Sequence, residues 1–480
     1  MERLQQLAKL CPDQDSSGLD AQRVQQFAQD PDLIEAVETA NKLIESLKES
    51  ETFSLNEEDQ RGKLQNRFVN FYPPENVNPY VALAAKGPWI ITTKGQVIYD
   101  TGGYGMLGLG HSPSLLIEAM SQEHVMANVM TANYTHAEFI NKIDKEIGQT
   151  RKQSPFAGYA CLNSGSEGVT LALRMSDTHL SKRWKAGSRS TLISLQGSFH
   201  GRTDRPAQVS DSCLPAYKKN LASFHDRSNL ITVPPNDVEA LKKAFSSLKD
   251  EQILVEAMIM EPVMGEGNPG MAITPEFYQM ARELTEEAGA FLIVDSVQAG
   301  LRATGYLSIL DYPGFENVDA PDCEVWSKAV NGGQYPLSVV GIRKQEYYSL
   351  GTYGNTMTGN PRALSVACAV LDQLTPDLRK NIRDKGREFV EAFKRLQSQY
   401  PDVITQVQGT GLLFSVGINP KIFDVLGGKG LEAWLRKKGL GVIHGGTNSL
   451  RFTPAFGVNN DQLNLVVDLV KEAIETAPRK

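Results

Sequence analysis

The sequence predicts an α/β protein with a mostly parallel central sheet flanked by helices. Short apolar runs alternate with helical stretches from about residue 86 onward. Four of these runs, Tyr159–Leu162, Thr191–Leu195, Ile253–Met260 and Phe291–Val294, show no hydrophobic–polar alternation. Strands buried on both faces look like this, and both faces are buried when crossover helices cover a parallel sheet. Each run also ends in polar or glycine residues, where ligands gather in such sheets.

At 480 residues the chain is too long for one compact core. Residues 1–85 read as a helical leader: Asp30-Pro31-Asp32 is a start signal, and Leu33, Val37, Ala40, Ile44 and Leu47 follow at helical spacing. That face is expected to pack on its own subunit or on a partner. Residues 86–345 read as a large domain holding the four runs, with a helix from Glu167 to about Leu180. Residues 346–480 read as a smaller α+β domain: a Thr/Gly-rich loop, a long helical stretch from Pro361 to Gln399 and a few strands.

Composition excludes several classes. With 41% hydrophobic and 22% charged residues the chain reads as soluble and globular, and a net charge of -7 argues against a nucleic-acid binder. No apolar run is long enough for a membrane span. The start, with Glu2, Asp13 and Asp15, resembles neither a secretory signal nor an acid-poor transit peptide. The five cysteines (Cys11, Cys161, Cys213, Cys323, Cys368) form no CxxC pair, which suits reduced thiols in a cytoplasmic protein. No HxxxH or HExxH spacing supports a metal site.

Four motifs carry possible chemistry. Asn163-Ser164-Gly165-Ser166-Glu167 joins a strand to a helix, where small residues let backbone N–H groups approach a phosphate; an ordinary capped turn is the plain alternative. Asp295 ends the most apolar strand and needs a partner, whether a protonated ring nitrogen, an arginine or a metal. Lys328, in Trp326-Ser327-Lys328-Ala329, becomes a nucleophile if a partly buried site takes its proton; on the surface it is only a solvated charge. Gly197-Ser198-Phe199-His200-Gly201-Arg202-Thr203 offers a ring to stack on a heterocycle and a cation to clasp a carboxylate, or simply a packed Phe and a surface Arg.

In this order, these motifs resemble the class III aminotransferases of the fold-type-I pyridoxal-phosphate enzymes over roughly residues 75–475. Tyr99-Asp100, Gly108-Leu109-Gly110-His111, Glu261-Pro262, Asp295-Ser296-Val297-Gln298-Ala299-Gly300 and Thr356-Met357-Thr358-Gly359-Asn360-Pro361 add to the likeness. The resemblance implies that Lys328 bonds to the cofactor aldehyde and that Asp295 keeps the pyridine nitrogen protonated. Gln298 then sits near the phenolic oxygen, Phe199 and Val297 cover the two ring faces, and His200 belongs to the same cofactor-binding group. Gly165 and Ser166 cradle the phosphate, and Thr356 reaches the phosphate of a neighbouring subunit in a homodimer with shared active sites. For substrate, Arg451 binds the α-carboxylate of a keto acid, Glu261 gates that arginine, and Arg202 holds a remote carboxylate, as in the enzymes acting on 4-aminobutyrate, ornithine and lysine.

Three positions depart from the pattern and mark an outlying branch: Ser296 replaces a glutamate, Gly168 an alanine and Met357 an aromatic residue. The expected reaction is ping-pong transfer of an amino group, from an ω-amino acid or similar amine to a keto acid such as 2-oxoglutarate. An aminomutase, a racemase and a decarboxylating transaminase share the scaffold, and a non-catalytic partner-binding relative is the alternative outside enzymology.

Overall fold

A computed structural model describes residues 17–102, 104–227 and 229–480. The leader's first residues, with Cys11, lie outside them. The chain forms two compact units. One contains Leu115–Arg383 with Gly409–Leu413; the other contains the chain up to Ser114, Asp384–Gln408 and Phe414–Lys480.

The larger unit is built on a seven-stranded sheet. Its strands are β1 (Gly158–Leu162), β2 (Arg189–Leu195), β3 (Leu230–Val233), β4 (Ile253–Met260), β5 (Phe291–Asp295), β6 (Cys323–Trp326) and β7 (Ser338–Ile342). Their order across the sheet is β1-β7-β6-β5-β4-β2-β3. Strands β3, β2, β4, β5 and β6 pair in parallel, and β7 runs antiparallel to both its neighbours. The four apolar runs are thus β1, β2, β4 and β5, and β5 is buried along its whole length.

Helix α1 (Gly165–Ser181) follows β1 and packs Val169, Leu171, Ala172 and Leu173 against a core that includes Leu192, Ala257, Ile259, Ile293, Val325 and Val340. The helix lies so close to the sheet that a Cβ at Gly168 would stand 2.6 Å from Val325 Cγ1 and 3.3 Å from Ser338 Oγ. Glycine in place of the alanine expected there is therefore a packing requirement of this sheet.

The second unit gathers early and late parts of the described chain. The leader helix Pro31–Leu47 starts at Asp30, whose side chain accepts from the Asp32 and Leu33 N–H groups. It buries Leu33, Ala36, Val37, Ala40 and Ile44, while Leu47 stays exposed. This stripe packs on strands Ala82–Lys86 and Trp89–Thr92 of the same chain. Strand Val97–Asp100 continues that sheet and pairs in parallel with Leu440–Gly441. A second sheet joins Ile404–Thr410, Leu413–Ile418, Ser449–Phe452 and Ile443–Gly445.

Two expectations need correction. The division at residues 85 and 345 does not describe the compact units, because the Tyr99–Leu440 pairing ties the early strands to the C-terminal segment. Helix Pro361–Asp372 in turn packs on Tyr134–Ile147 within the larger unit. The helical stretch expected over Pro361–Gln399 is made of two helices, Pro361–Asp372 and Pro376–Gln399. Proline removes a backbone donor and favours a helix start, and Thr375 Oγ1 accepts from the Leu378 N–H at 3.2 Å. Cys161, Cys213, Cys323 and Cys368 are free thiols. Among the described residues no helix is long and apolar enough to cross a membrane.

Gly168→Ala tests the close approach. Alanine improves helix propensity by about 1 kcal/mol, whereas overpacking costs about 1–3 kcal/mol, so a net loss of up to roughly 2 kcal/mol is expected in denaturant unfolding. In a Val325→Ala background the same substitution should cost much less; additive effects would show that Val325 is not the obstacle.

Candidate active site

The site lies at the carboxyl ends of β1, β2, β4, β5 and β6, in the larger unit, around a cavity of about 160 Å³. Each strand end contributes a side chain or a turn.

Strand β5 delivers Asp295, which is 4% exposed. Its Oδ1 accepts the Val297 N–H at 3.0 Å, and its Oδ2 lies 2.9 Å from His200 Nδ1. His200 comes from the turn after β2 and is itself buried, with its backbone N–H donated to Ser210 Oγ at 2.8 Å. Its Nε2 is buried with no hydrogen-bond partner among the described residues. His200 therefore lines the cavity but acts on Asp295.

Strand β6 leads directly to Lys328. This residue holds φ at +52°, the left-handed region that side-chain-bearing residues avoid. Such strain persists only where the surroundings enforce it, and it collects at functional positions. The turn lifts the lysine into the cavity, where Nζ donates to Gln298 Oε1 at 2.9 Å. Gln298 is buried in the turn after β5, and Val297 and Phe199 line the cavity half-buried.

Between β1 and α1, Ser164 caps the helix by accepting the Glu167 N–H. The first-turn N–H groups at Gly165 and Ser166 have no acceptor inside the helix and face the cavity end of a 17-residue helix. A Cβ at Gly165 would stand 2.8 Å from Val297 Cγ1, and one at Gly201 would run into Ser166 Oγ. Glycine at both places keeps the turn open. Glu167 reaches back to the Asn163 N–H at 2.8 Å and accepts from Asn355 Nδ2 at 3.0 Å, which ties the turn to the loop carrying Thr356.

Glu261 follows β4 and is fully enclosed. Its Oε1 accepts the Phe199 N–H at 2.9 Å and its Oε2 the Gly265 N–H at 2.8 Å. Burial pushes its carboxyl up to about 7; Asp295 adds to the rise, and His200 and the two N–H groups oppose it.

The remaining predicted residues are not among those lining this cavity. Arg202 is exposed, with its guanidinium carbon 5.4 Å from the Phe199 ring centre. Thr356 is exposed on its loop, where Asn128 Nδ2 donates to its carbonyl at 3.0 Å. Arg451 belongs to the other unit, buried on strand Ser449–Phe452. Asp100 and His111, from the opening motif, pair at 2.9 Å in that unit.

Two polar groups escaped the motif reading. Asn355 is one. The other is Glu324, a fully buried carboxylate in the middle of β6. It accepts from Ser296 Oγ at 2.5 Å, Ser308 Oγ at 2.5 Å and the Ile309 N–H at 3.0 Å. Burial raises its carboxyl to about 7 against those three donors. A buried glutamate inside a short strand has no sequence signature, because its partners are far away in the chain.

Residues 71–474 match the family described as aminotransferase class-III. The chain belongs to the class-III aminotransferases. Among curated relatives, ornithine aminotransferase 1 of Staphylococcus saprophyticus is 28% identical, over 84% of this chain and 97% of that protein. Acetylornithine aminotransferase of Prochlorococcus marinus is 27% identical, over 80% and 90% respectively. In structure, this aminotransferase resembles ornithine aminotransferase from Toxoplasma gondii, with a TM-score of 0.73 and 22% identity over 91% of this chain and 97% of that one. An S-selective transaminase from Bacillus megaterium gives a TM-score of 0.73 at 18% identity, over 88% and 98%. These likenesses establish the fold-type-I architecture.

The cofactor of this aminotransferase is pyridoxal 5'-phosphate. The cavity suits it. A helix N-terminus suits a phosphate, a buried carboxylate suits a protonated ring nitrogen, and an amine stands in the same cavity.

Glu261 and Glu324 both have carboxyls raised from 4.5 to about 7, so folding favours their protonated forms. Their contribution is fully present below about pH 4.5 and is lost as pH rises through about 7. Thermal melts of the apoenzyme across that range should therefore show falling stability, and Glu261→Gln should make the slope shallower, with Glu324, Asp311 and Glu256 supplying the rest. An unchanged slope in the variant would show that Glu261 titrates normally.

Proposed function

We propose that this aminotransferase transfers the terminal amino group of an ω-amino acid, of the ornithine type, to 2-oxoglutarate. The observation that carries the reading is the convergence of Lys328, Gln298, Asp295 and His200 on one small cavity. The donor class is supported by the names of the relatives, ornithine and acetylornithine aminotransferases, and by the Arg202 guanidinium beside Phe199.

When bound, pyridoxal 5'-phosphate supplies an aldehyde that bonds to amines and a ring that draws electrons from the neighbouring carbon. The chain's own residues do the rest. Lys328 would hold the aldehyde through its Nζ and, once free, would serve as the acid/base that carries a proton, a task worth ~100- to 10,000-fold. Asp295, supported by His200 and the Val297 N–H, holds the ring nitrogen protonated. Phe199 and Val297 would hold the ring, and Gly165 and Ser166 would hold the phosphate. Gln298 orients Lys328 and the phenolic oxygen.

Two substrates with different carboxylate positions must use one site in turn. Glu261 serves as the switch: its carboxylate offers a counter-charge in one half-reaction and withdraws it in the other. A carboxyl near 7 suits this role, because a small change in surroundings alters its charge.

We further infer a cytoplasmic homodimer with shared active sites. Met130, Tyr134 and Leu350 are 89%, 96% and 94% exposed. Exposed apolar surface of this kind marks an interface, and Thr356 lies exposed on a nearby stretch of chain.

The deciding experiment is a visible spectrum of the holoenzyme with ω-amino acids added singly. Ornithine or a similar donor should bleach the yellow band, and 2-oxoglutarate should restore it. Product formed without any keto acid would overturn the transfer reading in favour of a mutase or racemase. Lys328→Ala should cut turnover by at least ~100-fold while still retaining some cofactor; near-normal turnover would refute the lysine's role. Glu261→Ala should slow one half-reaction more than the other in stopped-flow traces, and equal effects on both would exclude the switch.

A further inference from the structure

Glu324 is a buried carboxylate that the mechanism above leaves unused. It is 0% exposed and stands mid-strand, where an apolar residue would be the ordinary occupant. Its strand is the one that carries Lys328 four residues later. On the neighbouring strand it faces Val294 in register, directly before Asp295.

The carboxylate joins two turns. On one side it accepts from Ser296 Oγ at 2.5 Å, and Ser296 immediately follows Asp295. On the other it accepts from Ser308 Oγ at 2.5 Å and the Ile309 N–H at 3.0 Å. The backbone reinforces the first link: the Ser296 N–H donates to the Val325 carbonyl at 2.9 Å, and the Gly300 N–H closes the turn on the Ser296 carbonyl at 2.8 Å. A Cβ at Gly300 would meet that same carbonyl at 2.8 Å, so the turn has no slack. Asp295 opens this turn, and Val297 and Gln298 lie within it. Ser296 stands where the class resemblance predicts a glutamate, and the carboxylate that meets this position arrives from β6 instead.

We propose that Glu324 is a positioning residue, which acts through Ser296 to hold Asp295 and Gln298 in register with Lys328. The inference rests on the cofactor site described above. Hydrogen bonds to a carboxylate are short and about twice as strong as neutral ones, so this link resists small displacements of the Asp295 carboxylate better than backbone pairing alone. Cofactor geometry is sensitive to such displacements.

Ser296→Ala removes the side-chain link on the Asp295 side, and Ser308→Ala removes one of the two links on the far side together with the cap on the Leu310 N–H at 3.2 Å. Both remove one hydroxyl from the same carboxylate, and a purely structural role predicts that Ser308→Ala costs at least as much as Ser296→Ala in every quantity read. Three quantities are read for each variant: melting temperature of the apoenzyme, the dissociation constant for pyridoxal phosphate from spectral titration, and the pH midpoint of the visible band. Asp295→Ala serves as reference.

If Glu324 positions the site, both serine variants lose some melting temperature, but only Ser296→Ala weakens cofactor binding, roughly tenfold, and moves the pH midpoint. Glu324→Gln keeps an acceptor for Ser296 and should bind cofactor within about threefold of the parent, whereas Glu324→Leu should not. Weak binding in Asp295→Ala with a normal midpoint and affinity in Ser296→Ala would overturn the inference and leave the site reading intact. Normal binding in Asp295→Ala would overturn both.

Discussion

Everything at this site depends on supporting one carboxylate at the end of the most buried strand. An isolated carboxylate in such a place would take up a proton, because removing its charge from water is expensive. Asp295 is not isolated: a backbone N–H from Val297 serves one oxygen and His200 the other. The requirement then spreads outward. His200 must be held in turn, so Ser210 accepts its backbone N–H. The turn after β5 must be tight, so Gly300 follows Ser296 at the closing position.

The same strand ends show acids in contrasting situations. Asp295 has a histidine beside it, whereas Glu261 and Glu324 have only neutral donors closest to them. Neutral donors offset only part of the desolvation, and both glutamates stay near 7. Two of the acids near these strand ends thus titrate near neutrality because of what surrounds them and not because of residue type.

Much of this was legible in the sequence, and the reasons differ by element. β5 stood out because an unbroken apolar run such as Phe291–Val294 is what a strand covered on both faces requires, and β4 because its one interruption, Glu256, falls within eight residues. The leader helix was legible from Asp30-Pro31 and its apolar stripe. β6 and β7 were not, because Glu324 and Gly341 interrupt runs of only four or five residues. The compact units were hidden by a different cause: Tyr99 and Leu440 pair across most of the chain, and periodicity reports only local order. At the site, Lys328, Asp295 and the Ser164–Glu167 turn were readable as motifs. The roles of Glu324 and Asn355 were not, since they exist only through distant contacts with Ser296, Ser308 and Glu167. Gly168 belongs between these cases: its departure was visible, but its cause, the nearness of Val325, was not.

The bridge from Glu167 to Asn355 has a consequence for regulation. It connects the N-terminus of a 17-residue helix to a solvent-facing loop through two hydrogen-bonded side chains. A ligand that orders the helix mouth also restricts the loop, and a surface that captures the loop also pre-organises the helix mouth. Thermodynamic coupling is reciprocal, so whatever factor one event contributes to the other is returned in full. Order in the turn and order in the loop are then two readings of a single equilibrium, and a substitution that frees Asn355 would be felt at the start of the helix.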